Sequence, residues 1–214
     1  MTQEPNRWLQ ERTVSGDAYD ATYQRRAAAG ENVHGEADLM ESLGPKSVLD
    51  AGCGTGRVGR ELARRGLDVV GVDIDSQMLA TAMREAPAVP WQVADLATVD
   101  MGRTFEAIVM AGNVMIFLAP GSEGTVVANM ARHLAPGGLL VAGFQLQPGR
   151  LSVAKYDDLA AVAGLSLAHR WAHPITRKAL SIYLAAVETR RRNSRYVGRL
   201  CGLRWSALLP SLKQ

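Results

Sequence analysis

The chain predicts a doubly wound α/β fold, a mostly parallel sheet of seven strands with helices on both faces. Three observations carry that expectation. Short apolar runs alternate with segments of helical periodicity from residue 47 onward. The first of those runs ends in a loop with glycine at every second position, Gly52, Gly54 and Gly56, and a helix pattern follows at once. The composition, 47% apolar and 21% charged over 214 residues, is that of one ordinary globular domain.

Taken in order, residues 1–16 are polar and read as a loose leader. A helix is expected over 17–29, stopped by Gly30, and a second over 36–43, ending at Gly44-Pro45. Residues 47–51 form the first strand. The helix over 57–65 presents Val58, Leu62 and Ala63 inward and closes at Gly66. A strand over 68–72 follows. Ser76 can cap a helix that carries Met78, Leu79, Ala82 and Met83 at helical spacing, with Pro87 ending it. Strands at 89–94 and 105–110 come next, then a helix over 123–133 that ends at Pro136-Gly137-Gly138. A strand at 139–144, a helix over 155–163 stopped by Gly164, and strands at 165–172 and 180–188 complete the pattern. The chain thus divides into a helical cap (1–46), an α/β core (47–190) and a basic extension (191–214), with no internal repeat.

Charge narrows the function classes. The net charge of +3 comes from residues 190–214, which hold seven basic residues and no acid; the rest has 17 basic against 21 acidic residues, about −4. A body of that sign is a poor general binder of nucleic acid, which needs clustered cations, so a small-molecule partner is expected. No run approaches the ~18 apolar residues that span a bilayer. Residues 1–10 have no apolar signal core, and two cysteines make no disulfide framework. A cytoplasmic protein is the expectation. Cys53, inside the glycine loop, reads as a small residue that fits a tight turn.

Asp50-Ala51-Gly52-Cys53-Gly54-Thr55-Gly56 carries the most chemistry. Glycines let a backbone pass close against a ligand at a strand's carboxyl end. The carboxylate of Asp50 beside that loop suits a ligand with a positively charged amine better than a bare pyrophosphate. A second register remains open: Gly54-x-Gly56-x-x-Gly59 also satisfies the dinucleotide pattern, with Asp73 near the ribose-acid offset.

The seven-residue motif resembles the first motif of the class I S-adenosylmethionine-dependent methyltransferases, and the likeness continues at similar spacing to about residue 190. The resemblance implies a Rossmann-like sheet whose last strand is antiparallel, S-adenosylmethionine as methyl donor and S-adenosylhomocysteine as product. In that reading Asp50, Ala51, Gly52, Cys53, Gly54 and Gly56 hold the amino-acid end of the cofactor, and the helix start at Arg57 adds a positive dipole end. Asp73 takes both ribose hydroxyls, left free for that task if Asp75 or Ser76 serves the following helix. Ile74 and Met78 cover the adenine, Asp95 and the amide of Leu96 read its edge, and Ala111, Gly112 and Asn113 border the sulfonium. The resemblance names no acceptor.

The acceptor side is less legible. Tyr19 and Tyr23 share a helix face in a segment that lies over the cofactor in relatives. Phe144, Gln145, Arg150 and Tyr156 fall at or after the fifth strand, where Arg150 could clamp an anion. Asn113 and His34 are the candidate catalytic groups. His169 and His173 have no cysteine or acid cluster beside them, so no metal is expected. Methyl transfer asks little of acid–base chemistry, since positioning supplies most of it. An NAD(P)-dependent oxidoreductase and a cofactor-binding protein without catalysis are the alternatives. Residues 191–214 read either as a basic amphipathic helix for an anionic membrane or acidic partner, or as a plain extension, with Gly198, Gly202 and Pro210 against the helix.

Overall fold

Val48 and Leu49 turn to opposite faces of the strand they share, and that alternation builds two cores. In this computed structural model, which describes residues 5–175 and 180–189, the helices are α1 (Arg7–Glu11), α2 (Gly16–Ala28), α3 (Gly35–Leu43), α4 (Arg57–Arg64), α5 (Ser76–Glu85), α6 (Val114–Phe117), α7 (Glu123–Arg132) and α8 (Val153–Val162). The strands are β1 (Ser47–Ala51), β2 (Asp68–Asp73), β3 (Trp91–Val93), β4 (Phe105–Met110), β5 (Leu134–Gln145), β6 (Leu165–Ile175) and β7 (Leu180–Thr189). They form one sheet in the order β3-β2-β1-β4-β5-β7-β6. The first five pair in parallel, and β7 is antiparallel to both β5 and β6. The fold is the Rossmann-like α/β sheet expected, antiparallel strand included.

Leu49, Val70, Ile108 and Leu140 face one core, closed by Met115, Ile116, Val126, Met130 and Tyr156. Val48, Val69, Ala107, Val109 and Val141 face the other, under Leu39, Met40 and Leu43 of α3 and Val58 and Leu62 of α4. Both faces of the central strands are covered, which is why these strands read as unbroken apolar runs.

Four expectations need correction. The leader contains α1, whose Trp8 amide is capped by Asn6 at 3.0 Å and whose indole donates to Asp75 Oδ2 at 2.9 Å. A five-residue helix held by a partner 67 positions away leaves no periodic signal. Asp75, not Ser76, caps α5, because its Oδ1 accepts the Gln77 amide at 2.9 Å. Met83 on that helix is exposed. Finally, β5 starts at Leu134, pairs with Phe105, and breaks register before Leu139 meets Ala107; the Pro-Gly-Gly run forms this irregularity within the strand. Among the described residues no helix is long and apolar enough to cross a membrane. The basic extension, read as an amphipathic helix or a plain tail, lies with residue 190 outside the described residues.

Candidate active site

The loop after β1 is shaped by its own backbone before any ligand is considered. The amides of Gly52 and Cys53 both donate to the Val72 carbonyl, at 2.8 and 3.1 Å, so the loop folds over the end of β2. Gly52 has φ +77°, and a Cβ there would lie 2.5 Å from the Val114 side chain. Only glycine meets both demands.

Three acids from three strand ends face one cavity. Asp50, on β1, is buried, and its Oδ2 accepts the Gly59 amide at 2.8 Å. Burial pushes its carboxyl up to about 7, against the pull of the Gly59 amide and the Arg57 cation. Asp73 ends β2. Its Oδ2 accepts the Gly54 amide at 2.7 Å and its Oδ1 the Asp75 amide at 2.8 Å. The expectation that Asp75 would relieve Asp73 of backbone duty is therefore corrected: Asp75 caps α5, and Asp73 still holds two amides. Each carboxylate oxygen accepts two hydrogen bonds, so capacity toward the cavity remains. Burial raises the Asp73 carboxyl as well. Asp95, after β3, has its Oδ1 on the Ala97 amide at 2.8 Å.

Around these acids the cavity is walled by Gly52, Cys53, Gly54, Arg57, Ile74, Met78, Leu96, Ala111 and Gly112, all of them expected from the sequence. Ala51, Gly56 and Asn113 are not in its wall. Ala51 is fully buried in the sheet core, and Gly56 turns the chain into α4 in a left-handed conformation. Arg57 reaches the cavity, yet its guanidinium is engaged elsewhere. It donates to both Glu36 oxygens at 2.9 and 2.6 Å and to the Val33 carbonyl, and it lies 4.4 Å from the Tyr23 ring centre. Burial raises the Cys53 thiol well above the ordinary range, which suits a packing residue rather than a nucleophile.

Asn6, Trp8, Val58, Val114, Phe117 and Leu118 complete the wall and were not expected there. The apolar run after Asn113 was the available signal for three of them; nothing local marks Trp8.

A second cleft adjoins the first, sharing Trp8, Tyr19, Gly112 and Phe117 with it. It encloses about 440 Å³. Tyr19 and Tyr23 face it with ring centres 5.2 Å apart and hydroxyls 3.4 Å apart. Asn113 and Gln145 line it too, joined by a hydrogen bond that the Gln145 backbone amide donates to Asn113 Oδ1 at 2.8 Å. Both charges in its wall are paired: Glu11 with Arg150 at 2.7 Å, and Arg12 with Asp75 at 3.2 Å.

The remaining acceptor-side expectations fail. Phe144 and Tyr156 are buried, packed ring to ring at 5.6 Å inside the core. Arg150 faces Glu11 and lines neither cavity. His34 sits at the start of α3 and lines a separate recess beside Arg60 and Glu61; burial lowers its pKa. It lines neither cleft and so is not placed to serve as a base.

Residues 48–138 match the model of a family described as a methyltransferase domain. A TehB-like SAM-dependent methyltransferase from Corynebacterium glutamicum is 34% identical and superposes with a TM-score of 0.72, covering 82% of this chain and 98% of that one. A dTDP-4-amino-2,3,4,6-tetradeoxy-D-glucose N,N-dimethyltransferase from Saccharopolyspora spinosa is 33% identical across 58% of this chain and 52% of that protein. A magnesium-protoporphyrin O-methyltransferase from Rhodobacter capsulatus is 41% identical across 44% of each. The chain thus spans about half the length of the curated relatives it matches.

Proposed function

The chain belongs to the S-adenosylmethionine-dependent methyltransferases, and from that premise we propose that it transfers the methyl group of S-adenosylmethionine to a small-molecule acceptor. The observation that carries the reading is the convergence of Asp50, Asp73 and Asp95 on one cavity whose single cation among the described residues, Arg57, is neutralised by Glu36. Such a cavity is anionic. It suits a ligand with an ammonium, a ribose and a sulfonium, and it opposes a pyrophosphate, which disfavours the nicotinamide alternative.

In this reading the loop backbone at 52–54 meets the amino-acid end of the donor, with Asp50 accepting from the ammonium. Asp73 uses its remaining lone pairs on the ribose hydroxyls while holding Gly54 in place. Ile74 and Met78 flank the adenine, and Asp95 with the Leu96 amide reads its edge. S-adenosylmethionine supplies an activated methyl group. The chain's residues supply alignment across Gly112, where the two clefts meet, and exclusion of water by Trp8, Tyr19 and Phe117.

The acceptor enters from the second cleft, under the cap formed by α1 and α2. Its aromatic walls and internally paired charges favour an acceptor without an anionic group. A neutral amine fits best, because it attacks without a base and sheds its proton to solvent afterwards. The amine acceptor in the name of the Saccharopolyspora relative supports the same choice. The acidic body argues against nucleic acid, and the free Cys53 thiol suits a cytoplasmic location.

Calorimetric titration with S-adenosylhomocysteine tests the donor site, with NADH as the competing arm. Micromolar binding that Asp73→Ala abolishes supports the proposal; binding of NADH alone replaces it. Labelled donor offered to parallel panels of amines, alcohols and carboxylates then tests the acceptor class.

A further inference from the structure

Trp91 occupies a cradle made by three glycines. It is the first residue of β3, paired in parallel with Gly71 of β2. A Cβ on Gly71 would stand 2.2 Å from two carbons of its six-membered ring, one on Gly56 would stand 2.6 Å from Cη2, and one on Gly59 would stand 3.1 Å from Cη2. These distances mean that the ring packs directly against backbone at three places, with no room for a methyl group at two of them. At the other end of the side chain, Nε1 donates to the Ala86 carbonyl at 2.9 Å, just past the end of α5. The indole is thus fixed at both ends.

Two of the three glycines belong to the donor-binding apparatus. Gly56 turns the loop into α4, and the Gly59 amide is the donor to Asp50 Oδ2 at 2.8 Å. The same Cβ on Gly59 that would press on Trp91 would also lie 2.9 Å from that Asp50 oxygen. Trp91 therefore touches the backbone that holds Asp50, without lining the cavity itself. The spacing Gly54-x-Gly56-x-x-Gly59, which also satisfies a dinucleotide pattern, has a different physical cause here: two of its glycines make room for an indole.

We propose that Trp91 is a positioning residue for the donor site: its ring sets the height of the loop-to-helix junction and thereby the placement of Asp50 and the loop amides. The proposal rests on the donor reading above for its ligand arm, and a ligand-free arm keeps the two separable. A smaller side chain at 91 leaves a void under Gly56 and Gly59, so the junction gains alternative conformations and the site loses preorganisation. The effect is local, because α7 and its core are supported by the opposite face of the sheet.

The test compares the full chain with Trp91→Leu, Trp91→Phe and Gly71→Ala. Amide exchange is read at residues 54–60 and, as an internal reference, in α7. For Trp91→Leu we expect exchange at the junction to accelerate about 10-fold or more with α7 unchanged, and S-adenosylhomocysteine affinity to fall about 10-fold. Phe, which retains a ring, recovers part of both. Gly71→Ala pushes the indole from below and produces the same pair of changes. Combining it with Trp91→Leu relieves that pressure, giving strong non-additivity in the double variant. Should Trp91→Leu fail to fold, Gly71→Ala carries the test by itself. Unchanged junction exchange with unchanged affinity overturns the proposal, as does acceleration spread equally over α7. Absence of binding by the native chain overturns the donor reading instead, while the exchange arm still decides on Trp91.

Discussion

The Gly54 amide and the Asp73 carboxylate are 2.7 Å apart, so the acid at the end of β2 holds the loop that follows β1. Asp73 thus has a structural duty and a ligand duty at once. Asp73→Ala removes both, and S-adenosylhomocysteine affinity is expected to fall at least ~100-fold, from two charge-assisted hydrogen bonds at ~1.5–3 kcal/mol each. Asp73→Asn keeps one acceptor oxygen and is expected to lose ~10-fold. Titration calorimetry on both variants decides; an Ala variant that binds like the native chain removes Asp73 from the site.

Asp50 makes the stability of the unliganded protein depend on pH in an unusual direction. Its folded carboxyl titrates at about 7 because it is buried, above the unfolded value. The native state therefore holds the proton more tightly. This contribution is fully present below pH ~4 and is lost as pH rises to about 7, a change of up to ~4 kcal/mol. Asp50→Asn has no proton to lose there. Urea unfolding at pH 5 and pH 8 should show the variant gaining on the native chain at the higher pH, and an equal difference at both values contradicts the assignment. Ligand binding runs the other way: the ammonium needs the ionised carboxylate, so donor affinity should rise between pH ~6 and ~8.

Glu36→Gln breaks a buried ion pair and leaves the Arg57 cation without its counter-charge. Destabilisation of ~3–5 kcal/mol is expected. Arg57 contributes to the site through the packing of α4 on α3 and α2, so the folded variant should keep donor affinity within ~3-fold. Thermal unfolding and calorimetry at low temperature separate the two effects. A large affinity loss in the folded variant would place Arg57 in direct contact with the ligand.

Trp8→Ala removes a hydrogen bond to Asp75 and an edge contact with Phe117, whose ring centre is 5.6 Å away. Helix α1 then relies on surface ion pairs, such as Glu11 with Arg150. Faster proteolytic cutting within residues 5–14 is expected, together with a donor affinity weakened ~10-fold by the opened wall. Proteolysis at the native rate would show that α1 is held by its charges alone.

What the sequence could disclose follows from how local each cause is. The strands at 47–51 and 105–110 were legible because a strand covered on both faces must be apolar throughout. The loop glycines and Asp50, Asp73 and Asp95 were legible because strand ends and tight turns leave short-range marks. Trp8 was not, because its partners Asp75 and Phe117 are distant in the chain. Arg150 misled for the same reason: a cation looks available in sequence until the fold brings Glu11 against it. Phe144 and Tyr156 were placed in the right part of the chain but on the wrong side of the wall. For Phe144, one residue along β5 separates the core from the cleft that Gln145 lines.

Asn113 is the one non-glycine residue with positive φ among the described residues. It ties the segment after β4 to β5 twice, through its own amide to Gly143 and its side-chain oxygen to the Gln145 amide. Glycine would accept that backbone shape, yet it could not make the second tie. The floor of the acceptor cleft is consequently tied into the sheet, while its roof is α1 and α2, joined to the body through Trp8 on Asp75 and Asp20 on Thr55. Diversification then has a preferred address. Thr13, Val14, Thr22 and Tyr23 line the acceptor cleft and not the donor cavity, so these four can be rewritten to admit a different molecule with the donor wall left intact.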